Sequence, residues 1–254
     1  MHNPKRTFGL IGYPLGHSYS KSHFSRKFER EGLANHSYLN FEIPSAGLIE
    51  KIVRDTPDLI GLNVTIPYKQ AVMSYLDEID PVALKIGAVN TIKINRSGSK
   101  FILSGYNTDV IGFIKSLTPW PLNNFMKALV FGSGGSSLAI KYALGQLDIE
   151  FASVSRKKKE GFIPYEALSE EMVMDYLLWI NCTPVGMFPD IYEKLPLPYT
   201  YLTPDHYLYD LVYNPEITGF LGMGIEAGSR IMNGSTMLYE QAEASWEIWS
   251  KDPV

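Results

Sequence analysis

The chain has 254 residues, 45% of them apolar and 20% charged, with a formal net charge of −4. That length builds one large domain or two small ones around a sizeable core, and the composition is that of a globular chain rather than a disordered or fibrous one. The acidic balance offers no general basic field for nucleic acid, and one cysteine, Cys182, excludes an internal disulfide framework. Met1 to Arg6 leads straight into a strand-like run, which predicts no secretory leader, and no apolar stretch reaches membrane-spanning length. A cytoplasmic protein is the expectation.

Thr7 to Tyr13 is expected as a buried strand, followed by the loop PLGHSYSKS and a helix from about Lys21 to Gly32 with Phe24 and Phe28 four apart on its core face. Tyr38 to Ile43 is a second strand and Ala46 to Arg54 a helix. Leu59 to Ile66 is a third strand, and Pro67 suits the first turn of a following helix. Val89 to Ile94 and Phe101 to Ser104 flank Asn95-Arg96-Ser97-Gly98, turn chemistry that predicts a hairpin. Asn107 starts a helix to about Leu117. The alternation of strands and helices predicts a mostly parallel sheet for this part. Thr118-Pro119-Trp120-Pro121 interrupts the helical pattern and is expected as the joint between two domains.

Leu129 to Ser137, LVFGSGGSS, is an apolar run ending in a glycine loop that opens directly into helical spacing at Leu138, Ala139, Tyr142, Ala143 and Gln146. In such a loop Gly132 permits a sharp turn, Gly134 lets backbone approach a pyrophosphate, and the helix N-terminus offers unpaired N–H groups to the anion. Ser137 occupies the place of the usual third glycine. Phe151 to Ser155 is the next strand. Its end carries Ser155 and the basic run Arg156 to Lys159, where a dinucleotide fold that prefers NAD has a carboxylate. Guanidinium and ammonium groups attract a 2′-phosphate, so NADP is favoured, although the same run also reads as a solvated turn. Leu177 to Asn181 and His206 to Val212 are further strands. Pro215 is expected to begin a helix holding Phe220, Leu221 and Ile225, and Ser235 to Trp249 forms the last helix.

Lys69, in NVTIPYK, and Asp109, in YNTD, each sit after a strand at an expected helix start. They form a candidate proton-transfer pair, the lysine acting as acid or base and the aspartate orienting it and biasing its charge. Taken singly, Asp109 also reads as a capping group, Lys69 as a surface charge, and Ser18 and Ser20 as helix caps. Asn90, Tyr213 and Gln241 are polar candidates that spacing does not place.

Taken together and in order, GYPLGHSYS, GLNVTIPYKQ, GAVNT, GYNTD, FGSGGSS, SVSRKK, NCTPVGM, YDLVYNP and NGSTMLYEQA resemble the shikimate dehydrogenase family across nearly the whole chain. The resemblance implies an α/β protein of two domains. A substrate-binding domain with a mostly parallel sheet would span residues 1–105, the helix 235–250 packing back on it, and a Rossmann-like NADP-binding domain would span 106–234. It implies NADPH-dependent interconversion of 3-dehydroshikimate and shikimate, a step towards aromatic amino acids, with Lys69 and Asp109 as the catalytic pair and no metal. Ser18 and Ser20 would bind the substrate carboxylate. Thr65, Asn90, Asp109 and Gln241 would hold the ring hydroxyls, with Tyr213 nearby.

On the cofactor side, Gly132, Gly134, Gly135 and Ser136 would line the pyrophosphate, and Ser155, Arg156 and Lys157 would take the 2′-phosphate. Thr183, Leu211 and Gly234 match positions near the nicotinamide. The partner is a small molecule, with no nucleic acid or membrane, and the assembly a monomer or homodimer. Three departures bear on this, the first being that the late motif reads NGSTMLYEQ where the family more often has a glycine-leucine pair. The segment between Arg156 and Leu177 is short for the family, so its helix is expected to be missing or reduced, and SRKK keeps the arginine of the usual pattern but changes its neighbours. The alternatives are a relative acting on quinate, with NAD or NADP, and a catalytically silent ligand-binding homologue.

Overall fold

The computed structural model describes residues 4–15, 19–121, 127–156 and 159–251. The chain divides into two compact units, Met1–Asp109 with Gln241–Val254, and Val110–Glu240.

The first unit is built on six strands: β1 (Arg6–Gly12), β2 (His36–Glu42), β3 (Leu59–Val64), β4 (Glu78–Ile79), β5 (Thr91–Ser97) and β6 (Lys100–Tyr106), in the order β2-β1-β3-β5-β6-β4. Only β5 runs against its neighbours, so the sheet is mostly parallel. Residues alternate between its faces, as strand geometry requires. Phe8 and Leu10 look to a cluster with Phe24 and Phe28 of α1 (Tyr19–Arg30). Ile11, Leu62 and Val64 look the other way, to Ile49 and Val53 of α2 (Ile49–Asp55). α3 (Pro81–Ile86) is capped by Asp80, whose carboxylate accepts from the N–H groups of Val82 and Ala83.

α4 (Asp109–Ser116) carries the chain into the second unit. Its six strands are β7 (Lys127–Phe131), β8 (Glu150–Ser155), β9 (Ile163–Pro164), β10 (Leu178–Asn181), β11 (Tyr207–Asp210) and β12 (Arg230–Met232), all parallel, in the order β9-β8-β7-β10-β11-β12. Numbered from β7, this is the doubly wound order 3-2-1-4-5-6 of dinucleotide-binding folds, with its switch point between β7 and β10. The helices are α5 (Gly135–Gln146), α6 (Glu170–Asp175) and α7 (Gly219–Glu226). α8 (Ser235–Ser250) then returns to the first unit, where Trp249 joins the Phe8, Phe24 and Phe28 cluster and donates its indole N–H to the Ile92 carbonyl at 2.9 Å.

Several elements differ from expectation. No α-helix follows Pro67. The chain runs through a turn to a 3-10 segment at Ala71–Tyr75, because the Lys69 carbonyl is taken by the N–H of Val89 rather than by a helical partner. The hairpin turn lies at Gly98-Ser99, with Ser97 opposite Lys100, two residues later than expected. α7 starts at Gly219 rather than Pro215, since Thr218 caps it. The units divide at Asp109 and Val110, four residues beyond the expected boundary and well before the Pro119–Pro121 break. Trp120 sits inside the second unit, edge-on to Tyr207 at 5.2 Å. Of α8, the part from Gln241 belongs to the first unit. Between Arg156 and Leu177 the described residues hold β9, a 3-10 turn at Tyr165–Ala167 and the six-residue α6, so the helix expected to be missing or reduced there is present in reduced form.

Candidate functional site

Three motifs far apart in sequence meet at one end of the first sheet because β3, β5 and β6 are neighbours. Asn63 of β3 lies opposite Thr91 of β5, and Thr91 lies opposite Tyr106 of β6. NVTIPYK therefore leaves, GAVNT enters and YNTD leaves the sheet at the same place.

There the Lys69 ammonium donates to Oδ2 of Asp109 at 2.6 Å, their side chains 13% and 6% exposed. The second carboxylate oxygen accepts from Asn90 Nδ2 at 2.8 Å, and the Asp109 N–H donates to Asn107 Oδ1. Asn90 is oriented in turn, because its Oδ1 accepts from the Thr108 N–H at 2.7 Å and its Nδ2 reaches Gln241 Oε1 at 3.4 Å. Every one of these groups is engaged, which rigidifies a buried polar network. A charge-assisted ion pair this close fixes one ammonium N–H bond and thereby the direction of the lysine side chain.

The network continues through residues that sequence reasoning did not assign. Ser245 donates to the Gln241 carbonyl, accepts from Asn63 Nδ2 at 3.0 Å and lies 2.8 and 3.1 Å from the hydroxyls of Thr91 and Thr108. Asn63 Oδ1 accepts from the Tyr38 hydroxyl, which is hydrogen-bonded to Ser20 in the first turn of α1. Burial pushes the Tyr38 hydroxyl up, so it stays a protonated donor. The available signal for Ser245 was its position four residues after Gln241, on the same helix face. Lys69, Asn90, Asp109, Gln241 and Ser20 thus belong to one connected set. Thr65 stands just beyond β3, its N–H donating to the Ile11 carbonyl. Tyr213 lies in the second unit, in the loop after β11. Ser18 and Lys157 lie outside the described residues.

In the second unit Gly132 follows β7 at φ +115, a conformation that side chains rarely adopt, and a Cβ there would stand 3.2 Å from Thr183. Gly134 is the extended N-cap of α5, and the space beside its Cα is open. The N–H groups of Gly135, Ser136 and Ser137 precede the first intrahelical bond, which Leu138 makes to the Gly134 carbonyl. Ser137 in the third glycine's place is fully buried and donates to the Gly134 carbonyl at 2.7 Å, tightening the loop instead of clashing. A glycine loop at a helix N-terminus, open beside Gly134, fits a dinucleotide pyrophosphate.

Ser155 ends β8 and Arg156 is exposed just past it, close enough to Tyr165 to pull its hydroxyl down against the larger upward push of burial. Lys159 and Lys141 both lie over the Phe162 ring, at 4.9 and 5.1 Å. Burial pulls the Lys141 ammonium down. Thr183 follows β10, its N–H and hydroxyl both donating to Asn181 Oδ1. Leu211 and Gly234 meet closely, since a Cβ on Gly234 would stand 2.2 Å from the Leu211 carbonyl oxygen. Among the described residues no His, Cys, Asp and Glu group has a metal-binding arrangement, and no helix is long and apolar enough to cross a membrane.

Residues 10–92 match the profile of the shikimate dehydrogenase substrate binding domain. A shikimate dehydrogenase (NADP(+)) from Desulforamulus reducens is 34% identical over 264 residues, covering 95% of this chain and 89% of the relative. The crystal structure of shikimate dehydrogenase 1 from Peptoclostridium difficile is similar with a TM-score of 0.83 at 33% identity, covering 98% and 93% of the two chains. A shikimate 5-dehydrogenase from Thermus thermophilus, solved in complex with NADP(H) and shikimate, is similar with a TM-score of 0.82 at 29% identity, covering 96% and 93%. Likeness of this extent, in sequence and in fold, makes the chain a member of the shikimate dehydrogenase family.

Proposed function

We propose that the protein catalyses the reversible NADPH-dependent reduction of 3-dehydroshikimate to shikimate, the first unit holding the substrate and the second the cofactor. The observation that carries this is the 2.6 Å pair of Lys69 and Asp109, its carboxylate fixed by Asn90, in a chain of this family. Bound NADPH supplies the hydride to the ring carbonyl. Lys69, as ammonium, stabilises the negative charge that develops on the carbonyl oxygen and gives that oxygen its proton; in the reverse direction the amine takes the proton back. Asp109 keeps the ammonium aimed, and each of its oxygens retains a second lone pair to accept a substrate hydroxyl.

Thr65, Asn90 and Gln241 hold the ring hydroxyls with Asp109, Tyr213 adds a hydroxyl, and Ser18 and Ser20 bind the substrate carboxylate. The loop from Gly132 through Gly134, Gly135 and Ser136 receives the pyrophosphate at the N-terminus of α5, while Ser155, Arg156 and Lys157 receive the 2′-phosphate. Thr183, Leu211 and Gly234 flank the nicotinamide. A cytoplasmic monomer or homodimer completes the reading, the single cysteine supporting a reducing compartment.

The test is absorbance at the NADPH band with the purified protein, pairing shikimate and quinate with NADP and NAD. Turnover confined to shikimate with NADP is expected. Turnover preferring quinate or NAD would move the protein to the broader relative, and silence in all four mixtures would leave a binding protein.

A further inference from the structure

The ends of β7, β10 and β11 are level, with Asn181 opposite Phe131 and Asp210 opposite Asn181. Asp210 closes β11 with no exposure to solvent. Its carboxylate is surrounded by donors. Oδ1 accepts from Asn181 Nδ2 at 3.0 Å and from the Val212 N–H at 2.9 Å, and Oδ2 accepts from the Thr218 hydroxyl at 2.6 Å. The Thr218 oxygen caps α7 by accepting from the Leu221 N–H, which leaves its proton for Asp210.

Asn181 passes the constraint on. With its amide nitrogen turned to Asp210, its oxygen accepts both the N–H of Thr183, at 2.9 Å, and the hydroxyl of Thr183, at 2.7 Å. Leu211, between Asp210 and Val212, is held by its N–H on the Asn181 carbonyl at 2.9 Å. Burying a carboxylate is costly, and here burial pushes its pKa up to about 6. A neutral side chain would carry no such cost, but it could not accept from all three donors.

We propose that Asp210 is a positioning residue for the nicotinamide end of the cofactor site, setting the Thr183 turn through Asn181 and the Leu211 segment through the Val212 amide. The inference rests on the assignment of Thr183 and Leu211 to that end. Asp210→Asn presents an amide N–H to at least one donor, which loosens the hold of this side chain on Asn181, Val212 or Thr218.

Full-length wild type, Asp210→Asn, Thr218→Val and Thr218→Ser are compared in two ways. NADP affinity is measured by titration calorimetry without substrate, and kcat is measured together with KM for shikimate, all well below each variant's melting temperature. Asp210→Asn is expected to weaken NADP binding about ten-fold and lower kcat by a similar factor, while KM for shikimate stays within two-fold. Thr218→Val should shift the same quantities in the same direction, and Thr218→Ser, which keeps the hydroxyl, should restore them. If Asp210→Asn does not fold, the Thr218 pair decides. Wild type and variants that bind NADP equally well and turn over alike would overturn this inference alone. Losses shared equally by NADP and shikimate would also overturn it, reducing Asp210 to general stability. A wild type that binds no NADP would overturn the cofactor reading and this inference with it.

Discussion

Lys69 and His206 illustrate opposite uses of a titratable side chain. Lys69 is held by Asp109 at 2.6 Å, and in the proposed reaction its value lies in a proton delivered to one developing alkoxide. Lys69→Ala is therefore expected to lower kcat by about 10² to 10⁴-fold, the usual size of general acid help, with the shikimate dissociation constant changed only a few-fold. Single-turnover kinetics beside equilibrium binding check it, and unchanged kcat would remove Lys69 from the chemistry. Arg156, exposed past β8, is the corresponding test on the cofactor side. Hydrogen bonds to charged groups contribute about 1.5–3 kcal/mol, so Arg156→Ala should cost about ten-fold or more in preference for NADP over NAD. An unchanged ratio of the two kcat/KM values would mean that the basic run is only a solvated turn. His206 is fully buried, its Nε2–H donating to the Val173 carbonyl at 3.0 Å and its Nδ1 accepting from the Thr203 N–H. A second proton would face a donor. Burial, the largest influence, lowers its folded pKa below the ordinary value near 6.5. The unfolded chain then binds more protons in that window, so the stability contributed by neutral His206 is full above about pH 6.5 and is lost as pH falls below it. Burial lowers His23 and His36 in the same sense, whereas Asp210, raised to about 6, works the other way by favouring the folded state as pH falls towards 4. The melting temperature should thus fall between pH 7.5 and 5.5 by less in His206→Gln than in wild type, and equal falls would contradict this account.

Among the elements, α8 depends most plainly on a single contact. Trp249 packs closely against Gly61 of β3, where an added Cβ would stand 2.2 Å from the indole nitrogen. Gly61→Ala must push that ring away and strand the Ile92 carbonyl that it serves. Overpacking of this kind costs about 1–3 kcal/mol. A urea melt of Gly61→Ala should show at least that loss, and a stability within about 0.5 kcal/mol of wild type would mean that α8 relaxes freely. How legible each element was in the sequence follows from what stabilises it. β1, β3, β7, β10 and β11 are continuous apolar runs buried along nearly their whole length, and periodicity alone reveals them. α3 carried a full set of local signals, with Asp80 capping, Pro81 in the first turn and Gly87 at φ +74 closing it, yet its single turn and a half of apolar spacing escapes a search for amphipathic helices. β4 and β9 are two residues each and exist only through pairing with β6 and β8, so no pattern could announce them. Pro215, a good helix opener in isolation, points to a start of α7 that is too early. What moves the start to Gly219 is Thr218, held by the buried Asp210, a partner eight residues away in sequence that local propensity does not see.

Across the whole molecule, the residues of the candidate site were legible as motifs but not as a network. Lys69, Asn90, Asp109 and Gln241 were singled out from sequence, whereas Asn63, Thr108 and Ser245, which tie them together, were not, because their roles arise from the β3-β5-β6 order and from the return of α8. Likewise the strand order 3-2-1-4-5-6 depends on which distant strands pair, and the glycine loop after β7 hints at it only through its resemblance to other dinucleotide folds. Each unit has its own core, one around Leu62 and Ile92 and the other around Leu129 and Trp179, and the proposed reading, Tyr213 apart, gives each its own ligand. The two ligands should therefore stabilise different parts of the chain. A ligand at 100 times its dissociation constant adds about 2.7 kcal/mol to whatever opening it opposes, or roughly a hundred-fold slowing of amide exchange for groups released by that opening. Hydrogen exchange read by mass spectrometry should show shikimate alone slowing segments at 64–70, 88–91, 107–109 and 241–245. NADP alone should slow 131–138 and 181–187. Equal protection of both sets by either ligand would contradict this partition and imply that the units open as one cooperative body. Separate protection would mean that substrate and cofactor each stabilise the unit that binds them, with α4 and α8 as the covalent crossings between independently opening parts.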